Sequence, residues 1–122
     1  MTSLFAETFY WIALADFNDS AHRRALALAS ERADSPIVTT DEVLAEYLTF
    51  FATAPEQMRR KAVVNARRIL DDPGVCVVPQ SRGSFLSGMA LYEARPDKGY
   101  SLVDCISMQT MRKEGLTEAL TK

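Results

Sequence analysis

Leu4-Phe5-Ala6-Glu7-Thr8-Phe9-Tyr10-Trp11 is the stretch that decides the fold. A short apolar run stops at a carboxylate and a hydroxyl, and a new apolar segment starts at once. That step is what a strand handing over to a helix looks like in sequence. In open α/β sheets the ligand crevice lies beyond the carboxyl ends of the strands. Glu7 is therefore the first candidate functional residue.

Working outward, residues 9–15 read as a short helix that ends at Asp16-Phe17-Asn18-Asp19. Asp19 is the expected N-cap of a helix over 20–33, with Ala21, Ala25, Leu28 and Ala29 on one side. Asp34-Ser35-Pro36 breaks it, and Ile37-Val38 makes a strand ended by Thr39-Thr40. Thr39 with Glu42 matches a capping box and predicts a helix over 41–52. A second helix over 55–70 starts with Pro55 in its first turn. After the turn Asp71-Asp72-Pro73-Gly74, Val75-Cys76-Val77-Val78 is an apolar run without alternation, the pattern of a strand covered on both faces. Helices are expected over 82–94 and 102–114, the latter opened by a capping box from Ser101 to Asp104 and closed by Gly115. Residues 116–120 suit a last short strand. Strands alternating with helices predict an α/β fold: three layers, with a short, mainly parallel sheet and right-handed crossovers.

The 122 residues fit one domain, 48% hydrophobic and 25% charged, which is the balance of an ordinary globular protein. With a net charge of -2, nucleic-acid contact must rest on a local patch. No basic region precedes a continuous apolar stretch, and no window approaches a membrane span, so a cytoplasmic protein is expected. Cys76 and Cys105 each lie among apolar residues and read as free, buried thiols.

Known nucleotide sites are excluded: neither Gly-x-Gly-x-x-Gly nor Gly-x-x-x-x-Gly-Lys occurs. His22 is the one histidine and reads as a helix-surface or packing residue, because a zinc site needs more nitrogen or sulfur ligands than this chain offers. A receiver-like phosphoacceptor domain would need paired acids after the first strand and an Asp on a later one; 75–78 supplies none. What remains are acids at strand ends and helix starts: Glu7, Glu46 and Asp104. In a parallel sheet all three can fall on one edge, where they would repel one another unless a hard cation such as Mg²⁺ or Mn²⁺ sat among them. Each also has a plainer role. Glu7 could solvate a strand end, Glu46 a helix surface bordering Val43, Tyr47 and Phe50, and Asp104 could serve only the capping box. Against the last, the spacing to Ser107, Met108 and Met111 places Asp104 toward the interior.

Phe5-Ala6-Glu7-Thr8-Phe9-Tyr10-Trp11-Ile12-Ala13-Leu14, Asp19-x-x-His22-x-x-Ala25, Val38-Thr39-Thr40 leading to Val43-Leu44-Ala45-Glu46, and Asp97-Lys98-Gly99-Tyr100-Ser101-Leu102-Val103-Asp104-Cys105-Ile106-Ser107 together resemble the PIN-domain family. The nearest likeness is to its VapC-like ribonuclease toxins, and it spans essentially the whole chain. The resemblance implies a Rossmann-like fold and a Mg²⁺- or Mn²⁺-dependent endoribonuclease of a toxin-antitoxin pair. Its alternative is a degenerate fold serving as a non-catalytic RNA-binding or protein-interaction module. It further implies catalytic and metal-binding roles for Glu7, Glu46 and Asp104, with Thr8, Asp97 and Ser101 supporting them. Glu7 stands where the family has its first Asp. Past Glu118-Ala119-Leu120-Thr121 the family continues to another Asp and an edge strand, whereas this sequence stops at Lys122, so both are expected to be missing from it. RNA, an antitoxin and a second copy of the chain are the implied partners. Arg59, Arg60, Arg67 and Arg82 are candidates to hold RNA phosphates, or else simply solvate helix faces. Tyr10 and Trp11 could stack on a base or pack in the core. A patch holding Phe50 and Phe51 is the place to look for a dimer surface.

Overall fold

Three fully buried residues, Leu4, Phe5 and Ala6, form β1 (Leu4–Ala6), and a strand that apolar survives only between neighbours. A computed structural model describes residues 2–120 and places β1 inside a four-stranded sheet of order β3-β2-β1-β4. β2 (Ile37–Thr40) lies on one side and β4 (Ala119–Leu120) on the other, with β3 (Val75–Val78) beyond β2, and every ladder is parallel. The helices are α1 (Thr8–Ala15), α2 (His22–Glu31), α3 (Asp41–Phe50), α4 (Glu56–Asp71), α5 (Arg82–Ala94) and α6 (Leu102–Glu114). This is the PIN-like α/β architecture expected from the sequence.

The chain steps from β1 to β2 to β3 in one direction, then crosses back past β1 to reach β4. Right-handed crossovers therefore put the helices of the first two connections on one face and α5 with α6 on the other. The reversal also makes β1 the topological switch point, beside which α/β sheets bind their ligands. Tyr10, Trp11, Ile12 and Ala13 of α1 and Val43, Tyr47 and Phe51 from α3 and its end fill the core beneath. Tyr10 and Trp11 are thus packing residues, and Phe51 is buried while Phe50 is half exposed.

Several boundaries differ from expectation for local reasons. Thr39 and Thr40 belong to β2, and Thr40, not Thr39, caps α3 by accepting from the Val43 amide at 3.0 Å. Asp19 does not cap α2. Its carboxylate accepts from the Ala21 amide at 2.8 Å, a turn two residues long that ends before the helix begins at His22. Pro55 is the N-cap of α4 and precedes its first turn. The run 75–78 is not covered on both faces: Cys76 is exposed and its three valine neighbours are only part-buried in this edge strand, while Cys105 is buried. No helix among the described residues is long and apolar enough to cross a membrane.

The α5–α6 pair is the most extensive helix contact, and it needs a residue without a side chain at Gly88. A Cβ there would collide with Ile106 Cγ1 and stand 3.2 Å from its backbone nitrogen. Because one of those neighbours is backbone and cannot swing away, Gly88→Ala is expected to cost about 1–3 kcal/mol, the range of overpacked cores. Urea denaturation measures it, and an unchanged midpoint would show that the helices separate freely.

Candidate active site at the carboxyl edge of the sheet

Glu7 occupies the residue between β1 and α1. Its amide donates to the Leu120 carbonyl at 3.1 Å, which continues the β1–β4 ladder, and its own carbonyl accepts from Tyr10 at 3.1 Å to start the helix. Its side chain makes no cap bond, although it stands at the N-cap. The carboxylate is thereby left for the sheet edge.

Thr8 follows, almost wholly buried, and its hydroxyl donates to Glu46 Oε1 at 2.5 Å. That bond joins the first turn of α1 to the second turn of α3 and fixes the Glu46 side chain. Asp104 enters from α6. Its Oδ2 accepts from the Ser101 amide at 2.9 Å, and its amide donates to Ser101 Oγ at 3.0 Å, a reciprocal capping box. The cap curls the carboxylate back over the helix start, so Asp104 is exposed at the rim, contrary to the interior placement its spacing suggested.

Three elements thus bring Glu7, Glu46 and Asp104 within electrostatic reach of one another. Burial first, then the Asp104 and Glu46 carboxylates, push the Glu7 pKa above the ordinary glutamate range. Both charged groups that act on Glu7 are acidic. Such crowding suits a cation. Among the described residues, however, no three Asp, Glu, His or Cys side chains converge tightly enough to hold an ion directly. The set therefore fits an ion carried by one or two carboxylates with water filling the rest of its shell, the habit of Mg²⁺.

The other candidates are placed as follows. Asp97 lies on the loop between α5 and α6, where two bonds of 3.2 Å to the Arg95 guanidinium hold its carboxyl below the usual range. Arg59 donates to the Ala52 carbonyl, Arg60 pairs with Glu56 on its own helix, and Arg67 is exposed further along α4. Arg82 opens α5 and lies over the Phe85 ring, 5.7 Å from its centroid. His22 Nδ1 contacts the Ala13 carbonyl at 2.7 Å and ties α2 to α1.

One residue escaped sequence reasoning. Fully buried Thr39 donates to the Ala6 carbonyl at 2.9 Å and accepts from Trp11 Nε1 at 3.3 Å, so it clasps the end of β1 to α1 directly beneath Glu7. A hydroxyl on a buried strand must find partners, and the Thr-Thr pair was the available signal.

No family model matches the chain, and no curated protein matches it in sequence. Among solved structures, that of VapC20 from Mycobacterium tuberculosis, described as a sarcin-ricin loop cleaving toxin, is similar at a TM-score of 0.84 and 26% identity. The match covers 98% of this chain and 88% of that one. The architecture, the parallel strand order and this likeness together support a VapC-like PIN domain.

Proposed function

We propose that the protein is a divalent-metal-dependent endoribonuclease that hydrolyses RNA phosphodiester bonds as the toxin of a toxin-antitoxin pair. The observation that carries this reading is the meeting of three acids from three separate elements beside the switch point, where burial first and then the other two carboxylates hinder ionisation of Glu7. The likeness to a toxin described as cleaving the sarcin-ricin loop supports RNA as the substrate class.

Mg²⁺ or Mn²⁺ is the proposed cofactor, which one or two of Glu7, Glu46 and Asp104 would hold directly and the rest through water. When bound, such an ion stabilises charge on the phosphoryl and leaving oxygens and acidifies water. The protein's own part is positioning. Thr8 fixes Glu46 and Ser101 fixes Asp104, so both carboxylates keep their aim without the ion. Glu7 has no hydrogen-bonded hold on its side chain among the described residues and can adjust to what binds. Arg82 at the start of α5 and Arg59, Arg60 and Arg67 on α4 are the proposed phosphate-holding residues. Asp97 steadies the loop ahead of Ser101. An antitoxin and a second copy of the chain are the proposed protein partners, and half-exposed Phe50 is available to either.

The test is cleavage of a labelled RNA with Mg²⁺ or Mn²⁺, and again with EDTA. Metal-dependent cleavage is expected. The competing reading is a non-catalytic RNA-binding or protein-interaction module. Calorimetry that detects no Mn²⁺ binding while RNA binding persists would establish it instead.

A further inference from the structure

A groove of about 550 Å³ opens beside the acids, between the starts of α3, α5 and α6. Leu102 and Val103 form part of its wall, with Phe85, Arg82, Gln80 and Glu42 around them. Val103 directly precedes Asp104, and Glu42 lies one turn before Glu46 on α3, so two of the helices that wall the groove also carry two of the three acids.

The geometry points to this groove as the seat of an unpaired nucleobase next to the phosphate that is cleaved, with Phe85 as its stacking platform. This inference rests on reading the acid cluster as a nuclease site. Phe85 is 37% exposed and lines the groove, so part of its ring is open to an occupant. Single-stranded nucleic acids are gripped by such rings because every base has a π-face, and a nearby cation adds to the contact. Arg82 supplies that cation, its guanidinium over the Phe85 ring and 5.7 Å from its centroid, which leaves the opposite ring face for a base. The charge balance fits the same occupant. An RNA backbone approaching three carboxylates is repelled, and Arg82 is the positive group stationed at the groove that leads to them. The backbone amide of Gln80 is fixed by Asp41 Oδ2 at 2.9 Å, which holds the loop carrying its amide side chain at the groove wall. An amide can both donate to and accept from a base edge. A paired base is stacked on both sides and presents no face, so the site selects unpaired RNA.

The experiment measures binding of a short labelled single-stranded RNA, and of the same strand in a duplex, to protein carrying Asp104→Asn to prevent cleavage. Adding Phe85→Leu, which keeps apolar bulk but removes the ring, is expected to weaken single-strand binding about tenfold and leave duplex binding unchanged. Phe85→Tyr is expected to bind as the parent does, which separates stacking from any effect on folding. Equal single-strand affinity for Phe85→Leu, or an equal loss on duplex, would overturn the base seat. Failure of the nuclease reading is visible separately, as absence of metal-dependent cleavage by the unmodified protein. Metal-dependent cleavage with Phe85→Leu binding undiminished would leave the nuclease standing and remove only the groove's assignment.

Discussion

Asp104→Asn is expected to reduce Mg²⁺- or Mn²⁺-dependent RNA cleavage by at least about a hundredfold while the protein stays folded. Groups that merely support a metal ligand cost 10–100-fold when altered, and a carboxylate facing the ion directly should cost no less. The substitution is chosen for what it keeps. Asp104 has two separable tasks: its negative charge acts on Glu7, and its Oδ2 accepts from the Ser101 amide at 2.9 Å. Asparagine retains an oxygen for the second task and loses the charge of the first. Asp104→Ala loses both, and a lost cap of this kind costs about 1 kcal/mol. Cleavage assayed beside thermal melts therefore separates site from scaffold. Cleavage that survives Asp104→Asn and EDTA together would end the nuclease proposal. Stability lost equally in both variants would show that the charge, not the cap, holds the start of α6.

Which parts of this were legible in the sequence follows from how local their causes are. The change from Ala6 to Glu7 marked the strand end because burial of Leu4, Phe5 and Ala6 is a matter of adjacent residues. The Ser101 to Asp104 capping box was equally legible, being a contact between residues three apart. The same pattern failed at Thr39, where two competing threonines each had the right spacing for something. Tertiary contact decided between them: Thr39 was claimed by Ala6 and Trp11 across the sheet, which left Thr40 to cap α3. Exposure of Cys76 was hidden for a similar reason, since strand order, not composition, makes β3 an edge. Helical spacing also misjudged Asp104, because periodicity gives the angle around a helix and says nothing of where along it the covering elements stop. The groove of Phe85 and Leu102 joins residues far apart in sequence and had no local signal at all.

Glu7→Gln is expected to do two opposite things: abolish metal-dependent cleavage and raise the melting temperature of the metal-free protein at neutral pH. The sign follows from burial and then from the crowding. Burial and the two neighbouring carboxylates raise the folded-state pKa of Glu7, so the native protein binds this proton more tightly than the unfolded chain does. Stability then falls as pH rises from about 4.3, the ordinary glutamate value, through the higher native value, and stays reduced above it. A neutral amide escapes that loss. The gain from Glu7→Gln should therefore be present at pH 7 and vanish near pH 4, where glutamate is protonated in both states. Glu7→Asp keeps the charge and draws its oxygens back by about 1.5 Å, one carbon–carbon bond, so it should retain the pH dependence that the amide removes. Mn²⁺ is expected to raise the melting temperature of the unmodified protein more than that of Glu7→Gln, because only the former has repulsion for the ion to relieve. A residue whose removal stabilises the fold and destroys activity is one retained for function at a cost in stability. Melting temperatures across pH, with and without Mn²⁺, decide the matter: a Glu7→Gln protein no more stable than its parent at pH 7 would mean that the three carboxylates do not share a site.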